Sequence, residues 1–434
     1  MSHYFKLPAI ALIIIVIAAC TPKPPSVMLP VIRIDTEMAA PILNREDWVT
    51  ITFSLSDPNN PSNNISPISN QQMRGRGNST WTDWPKKPYR IRFRKDTKQS
   101  LFGLPAARNW VLLANYYDLS LIKTSFAFEL GKRLGLPYTC TYNHVELYLN
   151  GEYQGSYLLT EHRQVDQTGQ GAPGRAAIDL EEGWFAEISW QFKEEPKFRT
   201  ANYNLPIVIK SPKFQPAAAS NPAYNFVIDD WNELTSLMAA ESFPENGYRD
   251  LIDIPSFIKS FMVYIITNSA DFNLPLYEPV DKRRDVGSVF FYKDKGGKIS
   301  MGPLWDFDLS FGTSWYSYGV GGDRGNMPTE VKLPPELYPY PNYPFFNRFF
   351  DDPVFLAKWK EIWNNNFHQN ILPMSGFIDD MANKIKASAK KDHEKWWPEN
   401  DFDTRISELK NYFHTRAAYL NSHYNNEEKL TEHY

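Results

Sequence analysis

Cysteine is nearly missing: the 434 residues contain two, Cys20 and Cys140. If Cys20 is consumed by modification, no intrachain disulfide can form, so the fold must be held by burial and not by covalent staples. Cys140 sits among Tyr138, Thr139 and Tyr142 with no local His or Asp to activate it, and reads as a structural thiol. A surplus of charge is missing too: 46 basic residues against 50 acidic give a net charge of −4. No overall field exists that would gather nucleic acid or an anionic membrane, so nucleic acid is not an expected partner and any phosphate-binding patch must be local. There is no internal repeat, no Walker loop, no dinucleotide fingerprint and no zinc-protease motif. What the chain does have is 42% hydrophobic and 15% aromatic residues, ample for one large or two modest cores.

Residues Met1 to Cys20 combine Lys6, an apolar run through Leu12, Ile13, Ile14, Ile15, Val16 and Ile17, and small residues before a cysteine. That order is an export signal. The run falls short of the roughly 20 residues that a membrane-spanning helix needs. Ile17-Ala18-Ala19-Cys20 resembles a bacterial lipobox, which makes Cys20 the expected lipidation site and the membrane an expected partner through that lipid. The plainer alternative is an ordinary signal peptide with a chance cysteine. Residues 21–28, with Thr21-Pro22-Lys23-Pro24-Pro25, suit a tether. By similarity to lipoprotein sorting, the absence of an aspartate after Cys20 points to the outer membrane.

Further along, Val31–Ile34 and Trp48–Phe53 alternate as half-exposed strands, and residues 29–70 form a β-rich extension. Tyr89-Arg90-Ile91-Arg92-Phe93-Arg94 alternates strictly, and Trp110–Ala114 is a buried-strand run. Leu119, Ile122, Phe126, Leu130 and Leu134 recur at helical spacing, with Asp118 placed to cap and Gly135 to terminate. Asn150-Gly151 between alternating runs predicts a hairpin. Segment 184–209 reads as β. Helical periods dominate from Tyr224 onward, with Trp359, Trp363, Phe367, Ile378, Met381, Ile385, Ile406, Leu409 and Phe413 as core candidates. The tail from Asn425 is expected to fray.

Three stretches carry candidate chemistry. In Met73-Arg74-Gly75-Arg76-Gly77-Asn78-Ser79-Thr80, the glycines would free backbone N–H groups for an anion while Arg74 and Arg76 supply charge and Asn78 and Ser79 add donors. The alternative is a glycine turn with solvated arginines. In Leu304-Trp305-Asp306-Phe307-Asp308, two acids in an aromatic run are costly to bury unless they bind a cation or accept strong hydrogen bonds. In an extended chain positions 306 and 308 point the same way, toward one Mg²⁺. The alternative has Asp306 capping a turn and Asp308 paired with an arginine. At the end of an apolar helix, Asn268, Asp271 and Asn273 could supply a base and an amide ligand, or plain capping.

Taken together, Arg74-Gly75-Arg76-Gly77-Asn78-Ser79, Lys86-Lys87-Pro88-Tyr89, Asn109–Asn115, Leu134-Gly135-Leu136-Pro137, Val145–Tyr153, Thr160-Glu161 and Pro303–Asp308 with Phe311-Gly312 resemble the CotH kinase family of spore-coat-protein-H-like atypical kinases, over roughly residues 70–425. The resemblance implies an α+β, kinase-like two-lobed fold, with a β-rich small lobe over about 71–165 and a mainly helical large lobe over about 166–430. It implies ATP and Mg²⁺ (or Mn²⁺) as cofactors and Ser or Thr of a protein as acceptor. Asp306 takes the position of the metal-binding aspartate with Asp308 beside it, Asp271 that of the catalytic aspartate, and Asn273 an amide ligand. Lys87 or Lys86 is the phosphate-contacting lysine, paired with Glu129 or Glu161. The chain departs from the family pattern between Asp271 and Ser288, where Pro275, Glu278, Pro279 and Asp281-Lys282-Arg283-Arg284-Asp285 intervene. Export separates such an enzyme from cytosolic ATP, so the competing expectation is an inactive cell-surface module that binds proteins or glycans.

Overall fold

The computed structural model describes residues 28–163, 165, 175–273, 287–311 and 344–424, the side chains of Ala270 and Asn273 excepted. The expected export signal, Cys20, the expected tether up to residue 27, the departing segment from Pro275 to Asp285, Gly312 and the tail from Asn425 lie outside the described residues. No helix among those described is long and apolar enough to cross a membrane.

The first half of the chain builds a closed barrel. Its strands are β1 (Val31–Thr36), β2 (Val49–Ser56), β3 (Ile65–Gly75), β4 (Tyr89–Arg92), β5 (Asn109–Leu113), β6 (Tyr142–Leu149) and β7 (Glu152–Glu161), with the short helix α1 (Ser79–Thr82) after β3 and α2 (Lys123–Arg133) between β5 and β6. The order around the barrel is β1-β2-β3-β4-β5-β7-β6, closed by a parallel β1–β6 ladder. Residues read from sequence as an extension thus supply β1, β2 and the start of β3. Closure removes the open edges that would otherwise invite further pairing. The period-two patterning sets the faces: Ile32, Ile34, Phe53, Met73, Ile91, Trp110, Leu112, Val145 and Leu147 fill the interior, and the arginines of β3 and β4 point outward. The β6–β7 turn uses Asn150 and Gly151, both at positive φ (51° and 81°), as its two-residue hairpin demands.

Helix α2 starts later than its apolar spacing suggests. Leu121 has φ 60°, so residues 118–122 form a turn, and Asp118 satisfies that turn by accepting from the N–H groups of Ser120 (3.0 Å) and Lys123 (2.8 Å). Gly135, at φ 72°, ends the helix as expected.

The second half is a five-stranded sheet with helices around it. Strands β8 (Trp184–Ile188), β9 (Lys197–Arg199), β10 (Pro206–Ser211), β11 (Val289–Lys293) and β12 (Ser300–Met301) lie in the order β12-β11-β8-β10-β9. The helices are α3 (Asn225–Ala239), α4 (Tyr248–Leu251), α5 (Ile254–Thr267), α6 (Ala270–Asn273), α7 (Pro344–Asn347), α8 (Pro353–Asn366), α9 (Met374–Trp396) and α10 (Phe402–Tyr424). The molecule is therefore α+β, β-rich at its N-terminal side and helical toward its C-terminus. Trp359, Trp363, Ile378, Ile385, Leu409 and Phe413 are fully buried, so the late aromatics and aliphatics serve packing.

Helix α9 fastens the barrel to this body. Asp392 accepts from Lys86 Nζ (2.6 Å) and from the Ser156 N–H (2.7 Å), while Trp396 Nε1 donates to Gln154 O (2.9 Å). Both members of the Lys86–Asp392 pair are sealed from water. A Cβ on Gly155 (φ 123°) would stand 2.3 Å from Asp392 Oδ1, so only glycine fits beside the pair. Removing one partner strands a buried charge: Lys86→Met should destabilise by about 3–5 kcal/mol in urea unfolding. Lys86→Met combined with Asp392→Leu should regain most of that loss, and an unchanged single variant would show that the pair carries no weight.

Candidate functional site

A cleft of about 490 Å³ opens between the barrel and the second sheet. Its volume is that of a small-molecule site. The barrel contributes Arg45, Arg74, Arg76, Asn78, Ser79, Arg90, His162 and Arg163; the other wall contributes Glu187, Lys210, Asp271, Ser288, Trp305, Asp306 and Asp308. The arginine-glycine turn and all three candidate aspartates, distant in sequence, thus meet across one space.

The turn after β3 is tied to its neighbours through backbone and side-chain bonds. Two of its N–H groups are already used within the barrel: Gly75 donates to Asn44 O (3.0 Å) and Arg76 to Pro88 O (3.1 Å). Glycine is required here for space and conformation. A Cβ on Gly75 would lie 2.5 Å from the Trp81 ring, and Gly77 sits at φ 86° against Thr80 Oγ1. Arg45 clamps the turn from outside, donating through Nη1 to Gly77 O (2.7 Å) and Asn78 Oδ1 (2.9 Å). Toward the cleft the turn presents the side chains of Arg74 and Arg76. Arg76 is lowered to about 10 by withdrawal from water, opposed by Asp306, and its guanidinium lies 5.7 Å from the Trp305 ring centre.

Opposite, the acids do not come from an extended strand. Strand β12 ends at Met301, and Asp306 has φ 67°, a left-handed conformation that costs energy in a non-glycine residue and clusters at functional sites. Both carboxylates still reach the cleft, through a turn in place of an i, i+2 pleat. Asp271, in α6, faces them from the other side of Ser288, whose hydroxyl is 3.3 Å from Asp306 Oδ2 and also within hydrogen-bonding reach of Asp271. Withdrawal from water, then repulsion by Asp306 and Asp308, pushes Asp271 well above the usual carboxylate range. Asp308 rises to about 7 through burial and the charges of Asp306 and Asp118, opposed by the buried Lys123.

Burial and the charge of Asp306 raise both Asp271 and Asp308, which marks the cluster as short of positive charge. Among the described residues no set of three His, Cys, Asp or Glu groups has a metal cage's geometry. Mg²⁺, however, is commonly held by only one or two carboxylates plus phosphate oxygens and water. Asp306 and Asp308, facing a guanidinium turn, fit that pattern as a partial ligand set.

The remaining candidates lie elsewhere. Lys86 is committed to Asp392, and Lys87 donates to Trp81 O (2.5 Å). Glu129 accepts from Arg133 Nε (2.8 Å), and Glu161 holds Arg175 through two bonds, one of 2.9 Å from Nε. Asn268 is the left-handed cap of α5, its amide donating to Tyr412 OH (3.1 Å). None of these five lines the cleft. The Asn273 side chain is outside the described residues. A lysine–glutamate pair does line the cleft: Lys210 Nζ lies 2.7 Å from Glu187 on β8. Sequence reasoning missed it, along with Arg45, Arg90, Arg163 and Ser288. Glu187, a single acid in the apolar run Trp184–Ile188, was the available signal.

The model of the CotH kinase protein family matches residues 73–420, most of the chain, and the chain belongs to that family. A search of curated proteins finds no match.

The raised acids give a pH signature. A carboxyl near 7 when folded and 3.8 when unfolded favours folding below the lower value, and that contribution is lost as pH climbs through the upper one. Without metal, melting temperature should therefore fall between pH 4 and pH 7, and Asp308→Asn should flatten the fall. An identical slope in the variant would contradict this electrostatic picture.

Proposed function

We propose that this chain is an exported, lipid-anchored atypical kinase of the cell envelope that transfers the γ-phosphoryl group of ATP to serine or threonine of a protein. Membership of the CotH kinase family supports the kinase-like class. The observation that carries the finer reading is the convergence of Asp271, Asp306 and Asp308 with Arg74, Arg76, Asn78 and Ser79 on one cleft. Under this reading the barrel acts as the small lobe and the second sheet with its helices as the large lobe, the nucleotide lying between them.

Phosphoryl transfer asks the protein mainly for position and charge. Arg76 would bind phosphate oxygens, with Arg74, Asn78 and Ser79 at the rim. Asp306 and Asp308, with Asn273 as a proposed amide ligand, would hold Mg²⁺ or Mn²⁺. When bound, the ion would offset the negative charge of the phosphates and of the aspartates together. Asp271 would take the proton from the acceptor hydroxyl; a carboxylate crowded by two others is a stronger base than a solvated one, which suits that task. The lysine role assigned by resemblance to Lys86 or Lys87 passes to Arg76 and Lys210, since both lysines are engaged outside the cleft. Lipid on Cys20 and the tether over 21–28 would place the enzyme at the outer membrane.

With ATP and Mg²⁺ a hundredfold above Kd, the chain without residues 1–27 should gain about 2.7 kcal/mol of stability, read as a rise in melting temperature. Asp306→Ala should remove the gain. Asp271→Asn should keep it while slowing transfer of labelled γ-phosphate by about 10²–10⁴-fold. A melting temperature unmoved by nucleotide would instead favour the module that binds proteins or glycans without ATP.

A further inference from the structure

The strict alternation of β4 leaves Arg90 and Arg92 on the barrel's outer wall, and the β3–β4 register sets Arg74 directly across from Arg90. Like charges at opposed positions of a ladder repel. Trp48 lies beside all three, its ring centre 4.6 Å from the Arg74 guanidinium, 5.8 Å from Arg90 and 3.9 Å from Arg92. One indole face attracts cations but supplies no net charge. Among the described residues, no carboxylate forms an ion pair with Arg74, Arg90, Arg92 or Arg163. Their hydrogen bonds go to neutral oxygens: Arg74 Nη1 to Glu46 O (3.3 Å), Arg90 Nη2 to Asn109 Oδ1 (3.0 Å) and Arg92 Nε to Gln72 Oε1 (2.9 Å). The Nε atoms of Arg74 and Arg90 are shut off from water with no partner at all.

So much unbalanced cation is a poor way to hold a barrel together and a good way to bind an anion. The row also has a direction. Arg74, Arg90 and Arg163 line the cleft beside Arg76, whereas Arg92 and Trp48 do not, so the charge runs out of the cleft along the strand. A nucleotide whose phosphates meet Arg76 and the aspartates ends inside the cleft, and its charge is used there. Whatever meets Arg92 must enter from outside. Alternate residues on a strand stand roughly 6.6–6.8 Å apart on one face, which is also the spacing of alternate side chains in an extended peptide.

We propose that the row Arg74–Arg90–Arg92 with Trp48 is the docking track for the protein substrate, and that it selects an extended acceptor segment with Glu or Asp at alternate positions beside the target serine or threonine. The inference deepens the kinase reading by naming its substrate class. Its binding arm requires no phosphoryl transfer.

The full chain in detergent is titrated into a fluorescein-labelled peptide carrying one serine flanked by alternating glutamates, and into its glutamine twin, with binding read by anisotropy. The glutamate peptide should bind at least about tenfold tighter and lose that advantage as salt rises. Arg92→Gln should cut the preference several-fold without lowering the unliganded melting temperature, because it relieves repulsion, and Arg92→Glu should abolish it. The ATP–Mg²⁺ shift in melting temperature should survive Arg92→Gln. Equal binding of the two peptides, or a preference that outlasts Arg92→Glu, overturns the proposal, as does an Arg92→Gln variant that loses ATP and keeps the peptide. A charge-selective track in a chain that never binds ATP would leave docking standing and sink the kinase reading alone.

Discussion

Asp271, Asp306 and Asp308 are held in half-withdrawn positions, close enough that Asp306 raises both Asp271 and Asp308, across the cleft from Arg76. Water would relieve that repulsion, and the fold limits its access. A cation between the carboxylates, with phosphate oxygens between cation and guanidinium, would satisfy both walls at once. The left-handed backbone at Asp306 (φ 67°) belongs to the same constraint, a conformational cost carried by a residue that lines the cleft.

Such a geometry needs two walls that do not drift, and the scaffold supplies them. On one side the turn is fixed by Asn44, Pro88 and Arg45. On the other, the apolar helix α5 is buried around most of its circumference and ends at the site. Between them α9 reaches back to the barrel, where the sealed Lys86–Asp392 pair and the Trp396–Gln154 bond set how the halves meet. A buried ion pair is weak evidence for stability but a good device for fixing one arrangement among several.

Much of this was legible in the chain because it was local. The alternation Tyr89–Arg92, the Asn150-Gly151 turn and the spacing of Phe126, Leu130 and Leu134 each determine their own structure. The acids at 306 and 308 stood out as costly charges in an aromatic run, and they do reach a cleft, though through a turn that no pleat argument foresees. What escaped depends on distance along the chain. Lys86 sits in a motif suited to phosphate but meets Asp392, 306 positions away. The parallel β1–β6 pairing that closes the barrel, and the meeting of Glu187 with Lys210, likewise follow from topology and not from neighbouring residues. The glycines of the turn stood out in the chain, but only the fold shows that the N–H groups of Gly75 and Arg76 are taken by Asn44 and Pro88.

On the proposed reading, a metal-bound polyphosphate completes the charge of this cleft. Crystals grown with Mn²⁺ and a non-hydrolysable ATP analogue, measured at the manganese absorption edge, address it directly. An anomalous peak is expected about 2.2 Å from carboxylate oxygens of Asp306 or Asp308, with phosphate density reaching Arg76. Manganese bound without either aspartate, or an analogue seated away from the arginine turn, would contradict it.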